Sequence, residues 1–130
     1  MVSRDDLKKK GLKRFIASFK YSIQGLKVAY RDEQSMWIHL VITILAVIAG
    51  FWLNISAYEW LIVVILIVLV LGAELINTAI EAVVDLVTEE YHELAKYAKD
   101  LASASVFIYS MLSLIGGAII FVPKLIDKFF

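Results

Sequence analysis

From residue 34 onward the chain alternates long uncharged stretches with short polar ones. Met36–Leu53 is an 18-residue run without a charge, in which His39 and Thr43 are the clearly polar side chains. Trp60–Ala73 gives 14 uncharged residues and Leu101–Val122 gives 22. A helix needs about 20 residues to cross the hydrocarbon core of a bilayer. The first and third runs meet that length alone, and the second meets it only if its helix continues through Glu74, Asn77 and Glu81. The pattern predicts three transmembrane helices, at about 34–53, 59–87 and 95–122. Ahead of them, Leu12, Phe15, Ile16, Phe19, Ile23, Leu26 and Tyr30 recur at helical spacing. At 100° per residue they fall within an arc of about 100°, which predicts an amphipathic helix over about 5–30 lying on the membrane surface. The expected fold is therefore an all-α integral membrane protein, a single membrane domain over 1–130. Pro123 is expected to close the third span. Trp52, Tyr58 and Trp60 flank the connection between spans one and two, as an interfacial aromatic belt would.

Composition supports this picture: 61% of the residues are hydrophobic and 20% are charged. Thirteen basic residues balance thirteen acidic ones, which argues against a strongly basic nucleic-acid binder, so no nucleic-acid partner is expected. With no cysteine, a disulfide scaffold, a thiolate metal site and a cysteine nucleophile are all excluded. Nine of the basic residues precede the first span and two, Lys96 and Lys99, lie between the second and third. The Asn54–Glu59 connection has none and the tail has Lys124 and Lys128. The positive-inside rule then places the N-terminus and the second loop in the cytoplasm.

The second span carries the unusual chemistry. Glu74, Asn77, Glu81 and Asp85 are spaced 3, 4 and 4 residues apart and share about 80° of one helix face. A carboxylate at membrane depth costs about 2.5–3.5 kcal/mol even on the lenient insertion scale, and spanning requires none. If the helix stopped at Ala73, these groups would simply form a solvated face. If it continues, they form a polar seam on a helix otherwise covered by Ile76, Ala79, Ile80, Val83 and Leu86. Two or three carboxylates and an amide oxygen suit a hard cation such as Mg²⁺, which takes one or two protein carboxylates and completes its shell with water and phosphate. A buried carboxylate also suits a general base. The following loop, Thr88–Glu93, then Lys99-Asp100, adds a phosphate-sized cation in Lys99 and a hydrogen-bonding group in His92. No Walker A loop or protein-kinase signature is present. His39 and Thr43 share a face of the first span, where a packing role is expected.

The stretch Gly72–Asp100, GAELINTAIEAVVDLVTEEYHELAKYAKD, closely resembles the signature of the prokaryotic diacylglycerol kinase family. Its core, E-x-x-N-[ST]-A-I-E-x-x-V-D followed by a loop ending in A-K-D, is present in every element. Tyr21–Glu33, YSIQGLKVAYRDE, resembles the family's surface helix running into its first span. The resemblance covers roughly Arg14 to Lys124. It implies a homotrimeric membrane kinase that transfers the γ-phosphoryl group of MgATP to a lipid hydroxyl at the cytoplasmic interface. On that resemblance Glu74 is the general base, supported by Asn77, and Glu33 and Glu81 are the metal ligands. Arg14, Tyr21, Glu33, Glu81, Glu90, Tyr91, His92, Lys99 and Asp100 match nucleotide-binding positions, and Arg14, Glu74 and Ser103 are assigned to the lipid substrate. Asp85 falls within the signature without an assigned role. Seam spacing and resemblance agree on Glu74 and Glu81, whereas only the resemblance selects Glu33, Arg14 and Tyr21.

Two lipid substrates are consistent with the family. Glu59-Trp60, Phe121–Lys124, Asn77-Thr78 and His39 resemble the branch acting on undecaprenol, which is the favoured acceptor. Glu90–Leu94 and Ser103–Ser105 resemble the branch acting on diacylglycerol. Readings of other classes are an ion-coupled transporter using Glu74 and a membrane scaffold whose seam serves assembly. A transporter has no need of the Glu90-Tyr91-His92 and Lys99-Asp100 groups, and a scaffold would keep its phenotype in Glu74→Gln as long as it still assembled.

Overall fold

The computed structural model of the chain describes residues 10–130. Among the described residues there are four helices: α1 (Leu12–Asp32), α2 (Gln34–Trp52), α3 (Ala57–Val87) and α4 (Glu93–Phe129). The chain forms two compact units, one ending at Gln34 and one running from Ser35 to Phe130. The first is α1. Residues 5–9 of the expected surface helix lie outside the described residues. Leu12, Phe15, Ile16, Phe19, Ile23 and Leu26 are all exposed along one stripe of α1. Phe15 and Phe19 meet edge to face on it, with ring centroids 5.0 Å apart. An apolar stripe of this kind suits the interfacial layer of a membrane.

The second unit holds three helices long and apolar enough to cross a membrane, α2, α3 and α4. The chain is an all-helical membrane protein. Side chains such as Phe51, Val68, Leu114 and Ile119 face outward on the spans, where hydrocarbon rather than water is their natural surrounding.

α3 is one uninterrupted helix of 31 residues, so it does continue through Glu74, Asn77, Glu81 and Asp85. Its start is fixed by a capping box: the Ser56 hydroxyl accepts from Glu59 N–H at 3.3 Å, and the Glu59 carboxylate accepts from Ser56 N–H at 2.6 Å. The turn before it is tight, with Asn54 in the left-handed region at φ 49°, which asparagine tolerates better than most residues. Around this turn sits the small core, Leu53, Ile55, Val63 and Ile120, with Trp60, Ile67 and Phe121 packed on it. Gly50 is required here: a Cβ at that position would stand 2.7 Å from the Trp60 ring.

α3 and α4 form the closest helix pair. Ser113 donates to the Leu66 carbonyl at 3.3 Å, and Gly116 faces Leu66 so closely that a Cβ would meet its Cδ1 at 2.7 Å. His39 and Thr43 line a mainly apolar groove of about 620 Å³ shared by α2, α3 and α4.

One sequence expectation is corrected. Pro123 does not close the third span, because α4 runs through it to Phe129. An interior proline removes a helical hydrogen bond and costs about 3 kcal/mol in an isolated helix. Tertiary contacts around it hold the last turns in place: Lys124 pairs with Glu59 at 3.2 Å, Lys128 donates to the Trp52 carbonyl at 3.2 Å and lies 4.6 Å from the Trp52 ring centroid, and Phe129 stacks at 5.7 Å from the same ring.

Candidate active site

The seam on α3 lies toward the end of the helix away from the Ser56 cap. At 1.5 Å per residue, Glu74 stands about 21 Å along the axis from Trp60, and Glu81 about 31 Å. With Trp60 taken as one boundary of a hydrocarbon core about 30 Å thick, Glu74 falls inside the core and Glu81 at its far edge. Among the described residues Glu74 is the one charged side chain that is buried, at 5% exposure. Asn77 donates from Nδ2 to Glu81 Oε1 at 3.2 Å. That bond fixes the amide orientation, since a carboxylate can only accept from the nitrogen side. Asn77 Oδ1 is consequently turned away from Glu81, and it is buried without a partner among the described residues. The Thr78 hydroxyl is buried and unpartnered in the same way. The acidic spacing did not single out Thr78, although its position four residues from Glu74 placed it on the same side.

Beyond the seam, Thr88 ends α3 and the connection to α4 folds back. The Thr88 hydroxyl accepts from Glu90 N–H at 3.1 Å. His92 caps α4, its Nδ1 accepting from Leu94 N–H at 3.2 Å. With Nδ1 used as acceptor, a neutral ring carries its hydrogen on Nε2. Glu90, Tyr91 and His92 are all exposed, which leaves them open to a soluble ligand. Glu93 accepts from the Tyr97 hydroxyl at 2.9 Å and braces the first turn of α4.

Both lysines at this end are engaged by carboxylates. Lys99 pairs with Asp85 at 2.5 Å, which ties the end of α3 to the second turn of α4. It also lies within electrostatic range of Glu81. Lys96 pairs with Asp100 along the helix. Asp85 thus acquires a partner that helical periodicity could not reveal, because Lys99 is fourteen residues away on another helix. Ser103 is exposed one turn beyond Lys99.

Arg14, Tyr21 and Glu33 belong to the first unit. Arg14 is exposed near the start of α1, and Tyr21 is half-buried farther along. Glu33 is the C-cap residue, extended at φ −110° and ψ 114°, with its N–H bonded to Ala29 O at 2.9 Å. Next to it, Arg31 makes a two-pronged bond to Asp32, at 2.6 and 2.7 Å. The hydrogen bond from Arg31 holds the Asp32 carboxyl below the usual carboxylate range. The second unit brings together Asn77 with Glu81, Lys99 with Asp85, and Asp100 with Lys96.

The described residues include no group of three or more His, Cys, Asp or Glu side chains arranged to hold a metal ion. A hard divalent cation that arrives with phosphate needs only one or two protein carboxylates, and Glu74 and Glu81 on one face of α3 are groups of that type.

The family model of prokaryotic diacylglycerol kinase matches residues 20–121. Arg14 and the last turns of α4 lie outside the match, and every other singled-out site residue lies inside it. The chain is 40% identical over 114 residues to an undecaprenol kinase of Bacillus subtilis, covering 88% of this chain and 93% of that one. It is 38% identical over 105 residues to a diacylglycerol kinase of Escherichia coli K12, covering 81% and 86%. A diacylglycerol kinase of Haemophilus influenzae is 38% identical over 112 residues, covering 85% and 95%. With a buried carboxylate on a membrane helix, a bonded Asn77–Glu81 pair and a family match across most of its length, the chain belongs to the prokaryotic diacylglycerol kinase family.

Proposed function

We propose that this chain phosphorylates undecaprenol, using MgATP at the cytoplasmic face of the bacterial cell membrane, as a homotrimer with sites shared between subunits. The broader activity follows from the family: the chain is an ATP-dependent lipid kinase. The observation that supports the mechanism is the continuous helix α3, which carries the buried Glu74 and, two turns on, Glu81. A lipid alcohol reaches the seam from the bilayer and the nucleotide reaches it from water.

In this reading Glu74 takes the proton of the lipid hydroxyl as its oxygen attacks the γ-phosphorus. The bond from that phosphorus to the β,γ-bridging oxygen breaks, and ADP departs. Glu33 and Glu81 would hold Mg²⁺ in the roles the family resemblance gives them, with Asn77 steadying Glu81 through its 3.2 Å bond. Magnesium, when bound, neutralises phosphate charge as the transferring group develops it. Lys99, kept at the site by Asp85, pairs with a phosphate oxygen. Arg14, Tyr21, Glu90, Tyr91, His92 and Asp100 bind the nucleotide. Arg14 and Ser103 contact the lipid.

The likeness to the Bacillus subtilis enzyme, together with Glu59-Trp60 and Phe121–Lys124, supports undecaprenol. Glu90–Leu94 and the Escherichia coli relative support the second reading, diacylglycerol. Both lipids present a primary alcohol, so the catalytic groups are the same for either. Purified protein in mixed micelles, given γ-labelled MgATP and the two lipids in competition, decides between them. A higher kcat/KM for undecaprenol is expected, and a preference for diacylglycerol overturns the choice.

A further inference from the structure

Glu74, Asn77, Thr78 and Glu81 form a four-sided patch on α3, each side joining residues three or four apart. Residues at those separations are neighbours on a helix surface, with Cβ atoms about 5–6 Å apart. Three of the four have roles in the reading above, and Thr78 has none. Its hydroxyl is buried and finds no partner among the described residues. That is unusual for a helical hydroxyl, which ordinarily turns back onto the carbonyl of the preceding turn. Other hydroxyls in this chain do so: Ser18 donates to Arg14 O at 3.0 Å, Ser22 to Ser18 O at 3.0 Å and Ser105 to Ala102 O at 2.7 Å. Thr78 sits one turn from Glu74 on the side away from Asn77, and its hydroxyl stays unused. A buried polar group with no partner among the described residues points to one that arrives with the substrate.

We propose that Thr78 binds the acceptor oxygen of the lipid alcohol. The inference rests on the lipid-kinase reading and adds a substrate-binding residue to it. The acceptor oxygen has one hydrogen and two lone pairs. Its hydrogen goes to the Glu74 carboxylate, one lone pair accepts the Thr78 hydrogen, and the other attacks phosphorus. The O–H bond breaks as the O–P bond forms, and the bond to the departing ADP oxygen breaks with it. Thr78 contributes position only and keeps its own proton. Asn77, committed to Glu81 through its amide nitrogen, stays on the metal side of the patch.

The test compares Thr78→Val, which keeps the branched shape and removes the hydroxyl, with Thr78→Ser, which keeps the hydroxyl. Each is assayed in mixed micelles with MgATP and undecaprenol, and each is melted in lipid-free micelles. Losing one hydrogen bond to the acceptor should raise KM for the lipid about five- to tenfold in Thr78→Val and leave KM for MgATP unchanged. Thr78→Ser should behave like wild type. Because the hydroxyl has no partner among the described residues, Thr78→Val should melt no lower than wild type, whereas a hydroxyl that holds the fold together would lower the Tm on removal. The proposal is overturned if Thr78→Val leaves the lipid KM unchanged, or raises both KM values equally, or melts well below wild type. In those cases wild type still labels lipid and the kinase reading survives. A wild-type chain that labels neither undecaprenol nor diacylglycerol overturns both.

Discussion

Replacing Glu74 with glutamine preserves side-chain shape and removes the charge, so it separates the carboxylate's chemistry from its packing. Glu74 is 5% exposed and, with Trp60 at the near edge, lies about 9 Å inside the far edge of the hydrocarbon, from the 1.5 Å rise per residue and a core about 30 Å thick. A carboxylate at mid-membrane costs about 2.5–3.5 kcal/mol, and the cost falls toward the edge. Removing the charge at this depth should therefore stabilise the folded chain by about 1 kcal/mol, a rise in Tm of a few degrees. Removing a general base should lower phosphoryl transfer by about 10²–10⁴. Transfer of γ-label from MgATP to lipid, with thermal unfolding of the same preparation, reads both effects. A Glu74→Gln protein with transfer within about threefold of wild type refutes the base assignment. One that melts several degrees lower shows that the carboxylate holds the fold together.

Lys99→Met should raise KM for MgATP about tenfold through loss of a charge-assisted phosphate contact, with KM for lipid unchanged. Its pair with Asp85 is exposed on both sides, so the melting curve should hardly move. Gly50→Ala should act in the opposite way: the new methyl group meets Trp60, whose ring is already packed 4.8 Å from that of Phe51. Crowding of that kind costs about 1–3 kcal/mol, visible as a lower Tm with both KM values retained. Chelation of divalent metal should abolish transfer and leave helical circular dichroism intact, since no three-ligand metal group braces the described residues, and added Mg²⁺ should restore activity.

Much of the architecture was legible because membranes impose a one-dimensional rule. An uncharged run of 18 or 22 residues has few alternatives to a spanning helix, and the seam emerged from spacings of three and four. The length of α3 was harder to read, because its uncharged part is 14 residues and its acids are compatible with either a buried or a solvated face. The helix runs unbroken to Val87, and the burial of Glu74 within it depends on neighbours that periodicity does not specify. Pro123 misled for the same reason: local propensity ends a helix there, while Lys124, Lys128 and Phe129 hold it through contacts to Glu59 and Trp52. The Asp85–Lys99 pair and the unsatisfied Thr78 hydroxyl likewise belong to three-dimensional packing. Glu33, Arg14 and Tyr21 could be selected only by resemblance, since no spacing links them to the seam.

In the proposed reaction γ-phosphate leaves ATP for a lipid hydroxyl rather than for water. Product stoichiometry tests it most directly: the purified wild-type protein, MgATP and undecaprenol are incubated in mixed micelles and the products are resolved by phosphorus NMR. ADP and undecaprenyl phosphate are expected in equal amounts, with no accumulation of inorganic phosphate. ADP matched by inorganic phosphate, or no ADP at all from folded protein, contradicts that reaction.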